Sequence, residues 1–171
     1  MPRSSPLSDR LPELLSAKHS RAAFNSGNEQ LDNYLKLRAS QDAKRGVAVP
    51  YVIADDESSV VGYYTLSSTS IDLGQLPPKL EKKLPAHAVL GATLLGRMAV
   101  DVSHQRRGLG SIMIAHALDL AFRVNPAGSI AVVVDAIDAQ AVRFYEGYGF
   151  FRLPEADRTL YMLRGSLLKY L

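Results

Sequence analysis

The chain has 171 residues, 47% of them hydrophobic, with 20 Lys and Arg against 17 Asp and Glu for a formal charge of +3; a single globular domain over 1–171 is expected. With no cysteine, disulfides and thiolate-bound metals are excluded, and the four histidines, His19, His87, His104 and His116, follow no metal-ligand spacing, so no metal is expected. No apolar run spans a membrane and residues 1–10 lack the apolar centre of a secretory signal, so no membrane contact and a cytoplasmic location are expected.

Residues 1–12 hold three prolines and three serines and read as a loose lead-in. Ser26 and Glu29 then form an S-x-x-E capping box ahead of a helical pattern. Leu31, Tyr34, Leu35 and Ala39 make its apolar face, with Asp32, Asn33, Lys36 and Arg38 on the other, and the helix is expected to end near Gly46. Ala48 to Ala54 and Val60 to Ser68 are strand-like and joined by a polar run, which predicts an antiparallel hairpin. Residues 71–88, broken by Pro77, Pro78 and Pro85 and carrying Lys79, Lys82 and Lys83, read as an ordered excursion with a short helical turn.

Leu94 to Val100 is apolar apart from Gly96 and Arg97 and predicts a central strand. A largely apolar helix follows from Ser111 to Phe122, with His116, Asp119 and Arg123 on one stripe. Ser129 to Val134 is a second buried strand, Ala139 to Gly147 a helix, and Arg158 to Leu163 a last strand. A tail follows whose Leu167, Leu168 and Leu171 are candidates to dock. This order fits an α/β fold, a mixed central β-sheet flanked by helices on both faces.

Between central strand and helix lies Gln105-Arg106-Arg107-Gly108-Leu109-Gly110. Gly108 and Gly110 remove Cβ atoms where a ligand would approach the backbone, and the first-turn N–H groups of the helix offer donors backed by its dipole. Such a row of donors suits a pyrophosphate, with Arg106 and Arg107 adding charge. Spacing alone is equally compatible with a glycine-rich turn that binds nothing. Neither G-x-G-x-x-G nor G-x-x-x-x-G-K-[ST] is present.

The stretch resembles the Q/R-x-x-G-x-G/A loop of the GNAT acyltransferase superfamily, matched here by Gln105, Gly108 and Gly110 in a strand-loop-helix setting. A second match, A-x-x-F-Y-x-x-x-G-F around Ala141, Phe144 and Tyr145, resembles the end of that superfamily's cofactor-contacting helix. The resemblance implies acetyl-coenzyme A as acyl donor. Its contacts would come from Met98, Ala99 and Val100 on the strand, from Gln105, Arg106, Arg107, Gly108, Leu109, Gly110 and Ser111 in the loop, and from Asp138 and Phe144. It also implies Tyr145 as the group beside the sulfur. Backbone N–H groups near Met98 to Val100 are candidates for holding the oxyanion, and the Tyr145 phenol, at about 10, can give a proton to a thiolate whose thiol lies at about 8.5. Where many relatives have Asn seven residues before the tyrosine, this chain has Asp138, which still caps a helix. No general base stands out: Asp135, Asp138, Glu146 and His116 are possible but read as structural.

That gap bears on the acceptor. A lysine amine, at about 10.4, is neutral about once in a thousand at neutral pH, which costs roughly 4 kcal/mol, whereas an α-amine near 8 costs only about 1. Further matches, F-N-S-G-N-E-Q-L-D-N-Y-L, L-L-G-R-M-A-V-D and D-A-x-x-x-x-A-x-x-F-Y, resemble the GNAT toxins of bacterial toxin–antitoxin pairs over residues 24 to 162. This implies aminoacyl-tRNA as substrate, acetylated on its α-amine to block translation. It further implies a ribbon-helix-helix antitoxin and a homodimer. Lys36, Arg38, Lys44, Arg45, Lys79, Lys82, Lys83, Arg106 and Arg107 are available to RNA phosphates. The alternatives are a GNAT enzyme acetylating a small-molecule or protein amine, and a non-catalytic coenzyme A-binding regulator.

Overall fold

The structure, a computed structural model, describes residues 5–84, 86 and 89–167. In chain order it forms β1 (Glu13–Leu14), α1 (Glu29–Leu37), α2 (Ala39–Arg45), β2 (Val49–Ala54), β3 (Val60–Asp72), α3 (Pro78–Glu81) and β4 (Val89–Val100). Then come α4 (Leu109–Asp119), β5 (Ala131–Asp135), α5 (Ala139–Gly147), β6 (Phe151–Arg152), β7 (Thr159–Leu163) and α6 (Arg164–Leu167). The strands make one seven-stranded sheet in the order β1-β2-β3-β4-β5-β7-β6. It is mixed: β4 and β5 run parallel, while β1/β2, β2/β3, β5/β7 and β6/β7 are antiparallel. The chain divides into two compact units, Met1–Ser67 with Gly96–Ala117, and Ser68–Leu95 with Leu118–Leu171.

In the first unit, β2 and β3 form the expected hairpin, with Tyr51 opposite Tyr64 and a bulge between Ile53 and Ala54. Tyr63 and Tyr64 are neighbours on β3 and so point to opposite faces. Tyr63 joins a cluster with Phe24, Tyr34, Leu35 and Ala99, which buries the apolar face of α1. On the opposite face, Tyr64 places its hydroxyl 2.5 Å from Nδ1 of His116 on α4, and Tyr51 stacks on its ring at 5.3 Å. Helices therefore cover both faces of this part of the sheet.

The start of α1 differs from the capping box expected at Ser26. The cap is Asn28, whose side chain accepts the Leu31 N–H at 3.1 Å. Ser26 instead gives both its N–H (2.9 Å) and its hydroxyl (2.6 Å) to Asp32. Asp32, expected on the solvent side, is consequently buried. The single helix expected to run to Gly46 is also broken in two. Arg21 reaches in and donates to the Leu35 carbonyl (2.9 Å), the acceptor that a continuous helix would reserve for the Ala39 N–H. The second piece does stop at Gly46, which takes the left-handed conformation of a helix end (φ 69°).

In the second unit, Ile71, Leu76, Leu90, Ala131, Val133 and Tyr161 build a separate cluster. β5 is apolar on both faces because it lies between β4 and β7, with Val133 paired to Leu94 and to Tyr161. Gly91 permits a close approach: a Cβ there would meet the Gly128 carbonyl at 3.0 Å. The proline-rich excursion contains a 3-10 turn at Leu73–Gln75 and the one-turn α3, with Pro78 at its first position. Beyond α4 the chain continues as a π turn, Leu120–Val124. Of the tail, Leu168 and Leu171 lie outside the described residues.

Candidate active site

In the first unit, the loop after β4 is organised from the end of that strand. The amide of Asp101 donates to the Val61 carbonyl at 2.9 Å. Its carboxylate accepts the amides of Asn25 (3.0 Å) and Ser103 (2.9 Å) and the Ser103 hydroxyl (2.5 Å). Burial works to raise the pKa of Asp101, but these hydrogen bonds outweigh it and hold the group below the ordinary carboxylate value. A 3-10 turn, Val102–His104, follows, and then Gln105, whose amide nitrogen donates to the carbonyls of Val100 (3.0 Å) and Ser26 (3.1 Å). Gln105 thus ties the loop to the end of β4 and to the segment leading into α1.

The next residues curl the backbone. Arg106 (φ 61°) and Gly108 (φ 82°) both take positive φ, an alternation that turns successive amides toward one concave side. Arg106, Arg107 and Gly108 are exposed, whereas Leu109 is buried and anchors the first turn of α4. A Cβ on Gly108 would meet nothing within 4 Å, so the space beside the backbone there is open. The first hydrogen bond of α4 runs from the Ile112 N–H to the Gly108 carbonyl (3.2 Å). The amides of Gly108, Leu109 and Gly110 lie upstream of it, where a helix provides no carbonyl for them. Open space, positive φ, first-turn amides and exposed guanidinium groups are what a pyrophosphate requires, so these residues fit that part of coenzyme A.

Next to the loop, Met98 and Val100 are half-buried and Ala99 is buried against Tyr34 and Tyr63. The strand is distorted just before them. The Arg97 N–H donates to the Thr65 hydroxyl (3.1 Å), and a Cβ on Gly96 would stand 3.0 Å from that same oxygen.

In the other unit, α5 carries the remaining residues expected from the resemblance. Asp138 caps it as expected, accepting the Ala141 N–H at 2.8 Å. Tyr145 is 6% exposed, its ring edge-on to Phe144 (5.3 Å) and Phe150 (5.7 Å). Burial pushes its pKa above the ordinary phenol value. Its hydroxyl bonds none of the described residues. No side-chain polar atom among them is both sealed from solvent and unpartnered, so this oxygen is not wholly sealed. The buried phenols of Tyr34 and Tyr63, by contrast, are committed to Asp42 and to the Leu31 carbonyl. Phe144, on the rim, is 37% exposed.

The possible bases are all engaged. Asp135 takes the Thr159 hydroxyl (2.8 Å), Asp138 caps α5, Glu146 pairs with Arg152 (2.5 Å), and His116 faces the Tyr64 hydroxyl. Among the described residues no group of three His, Asp or Glu side chains could hold a metal. No helix among them is long and apolar enough to cross a membrane. Two roles are not legible from spacing: Asp101, the last residue of L-L-G-R-M-A-V-D, organises the loop, and Asn25 and Ser26, within F-N-S-G-N-E-Q-L-D-N-Y-L, bond to Asp101 and Gln105 across 76 and 79 positions.

The tRNA-acetylating toxin of Mycobacterium tuberculosis is 31% identical over 153 residues, covering 89% of this chain and 90% of its own. The structure of AtaT complexed with acetyl-methionyl-tRNAfMet superimposes with a TM-score of 0.86 at 28% identity, over 94% of this chain and 98% of that one. AtaTR bound with acetyl-coenzyme A gives a TM-score of 0.80 at 26% identity, over 94% and 97%. Residues 13–150 match the Acetyltransferase (GNAT) family, and the chain belongs to it.

Proposed function

We propose that this acetyltransferase moves the acetyl group of acetyl-coenzyme A onto the α-amine of an amino acid carried by tRNA, acting as a toxin that stops translation. The observation that carries the reading is the open space beside Gly108, with its positive φ and the first-turn amides of α4 next to it. Similarity to toxins that act on charged tRNA supports the choice of acceptor.

The thioester of acetyl-coenzyme A supplies an activated acyl group. The amides of Gly108, Leu109 and Gly110, with Arg106 and Arg107, would hold its pyrophosphate. Gln105 fixes the shape of the loop rather than reaching for the ligand, since its side chain is spent on Val100 and Ser26. N–H groups near Met98 to Val100 would stabilise the negative charge that builds on the carbonyl oxygen. Tyr145, kept protonated by burial, would give its proton to the departing sulfur. With Asp135, Asp138, Glu146 and His116 all engaged, the acceptor is one that arrives largely neutral, which favours an α-amine near 8 over a lysine near 10.4.

In this reading residues 1–171 work as one catalytic domain in the cytoplasm, paired as a homodimer and neutralised by a ribbon-helix-helix antitoxin. Expression of the chain alone is expected to arrest growth, and the cognate small antitoxin to restore it. Normal growth with abundant folded protein would contradict the toxin reading.

A further inference from the structure

We infer that Arg97 is a phosphate-binding residue for the acceptor, engaging the RNA backbone that carries the reacting amine; this rests on the aminoacyl-tRNA reading above. Arg97 lies on β4 directly before Met98 to Val100, and its guanidinium carbon stands 3.7 Å from the centroid of the Tyr34 ring. The side chain is exposed, and its guanidinium makes no hydrogen bond or ion pair with any described residue. All five of its N–H donors therefore remain available in a fixed plane.

Other arginines of this chain are used differently. Arg21 donates to the Leu35 carbonyl and the Ser40 hydroxyl, Arg158 to the Ile137 carbonyl, and Arg123 to Asp119. Arg97 is held by an aromatic shelf instead, and the shelf itself is rigid. Tyr34 stacks on Tyr63 (6.3 Å, 17° between planes), and its hydroxyl donates to Asp42 at 2.8 Å. From below, the Thr65 hydroxyl takes the Arg97 N–H, so the backbone cannot slide without releasing that bond.

A planar guanidinium parked on a ring, with its donors unspent, matches a phosphate, which accepts paired N–H bonds. The surroundings favour a polyanion. Tyr34 belongs to α1, and Arg38, Lys44 and Arg45 are exposed on α1's C-terminal junction and α2. Asp42, beside the shelf, is occupied by the Tyr34 hydroxyl.

The test compares the full-length wild type, Arg97→Ala and Arg97→Lys on two acceptors: a mixture of aminoacyl-tRNAs, and an aminoacyl nucleoside without phosphates. On charged tRNA, Arg97→Ala is expected to raise KM several-fold with less than a two-fold change in kcat. The slope of log kcat/KM against log salt should flatten by about 0.7 to 0.9, the share of one phosphate contact. Arg97→Lys should keep the slope while recovering only part of the KM. On the phosphate-free acceptor the loss should stay under two-fold. An unchanged salt slope, or an equal loss on both acceptors, would overturn the proposal, and unchanged tRNA kinetics would assign the guanidinium to a protein partner instead. Should Arg97→Ala not fold, the Lys variant decides: a KM equal to wild type contradicts bidentate contact. Failure of the wild type to acetylate any charged tRNA would be a different result, overturning the substrate reading itself.

Discussion

Tyr145 combines two properties that rarely coincide in a buried tyrosine: a ring packed between Phe144 and Phe150, and an oxygen with no described partner that is not wholly sealed. Packing alone explains the ring, as composition would suggest for an aromatic on the inner face of α5. It does not explain an unspent hydroxyl, because a phenol buried for stability normally finds an acceptor. Replacing Tyr145 by Phe keeps the packing and removes only the proton. Turnover is expected to fall by about 10²- to 10⁴-fold, the range of general acid catalysis, with acetyl-coenzyme A affinity nearly unchanged. The same residue sets a pH dependence. Burial raises its pKa, so the donating form persists past pH 10 and is lost only above that. The wild-type kcat/KM should rise through the acceptor amine, near 8, and stay level to about pH 10. A decline beginning well below pH 10 would show that another group, or a depressed phenol, controls the proton.

At the scale of elements, the loop and α4 act as one device. Gly108 at φ 82° costs a glycine nothing but strains any other residue, while no neighbour lies within 4 Å of its missing Cβ. Gly108→Ala should therefore cost about 1–2 kcal/mol through backbone strain alone and raise the KM for acetyl-coenzyme A. Gly108→Asn, which tolerates the left-handed region better, should be milder in both thermal stability and KM. Equal effects of the two would point to lost ligand space rather than strain.

The local parts of this device were legible in the chain. Hydrophobic period and glycine spacing are properties of neighbouring residues, so the strand-loop-helix order, the Asp138 cap and the ends of α5 could be read directly. What escaped is set by distant partners. The break after Leu37 exists because Arg21 occupies the Leu35 carbonyl, and Ser26 surrenders its capping role because Asp32 turns inward to hold it. β4 begins at Val89 rather than Leu94 because Val89 to Thr93 lie in the sheet, with Thr93 paired to Val132. The two-residue strands β1 and β6 have no pattern of their own; β2 and β7 recruit them through the ladder.

Over the whole molecule, charge and chemistry agree on an anionic, amine-bearing acceptor. The formal excess of +3 is small, but the exposed cations are grouped: Arg38, Lys44 and Arg45 around α2, Arg106 and Arg107 on the loop, and Lys79, Lys82 and Lys83 on and after α3. Such groups attract phosphate without selecting sequence. Selection must come from the amino acid and from the fit of the amine to the strand end. The most direct test mixes the purified chain with labelled acetyl-coenzyme A and charged or uncharged tRNA, then digests the RNA and identifies the 3′ product. The expected product is an N-acetyl-aminoacyl-adenosine from charged tRNA only, strongly diminished with Tyr145→Phe. Label on uncharged tRNA, on free amines alone, or undiminished transfer by the Phe variant would contradict it.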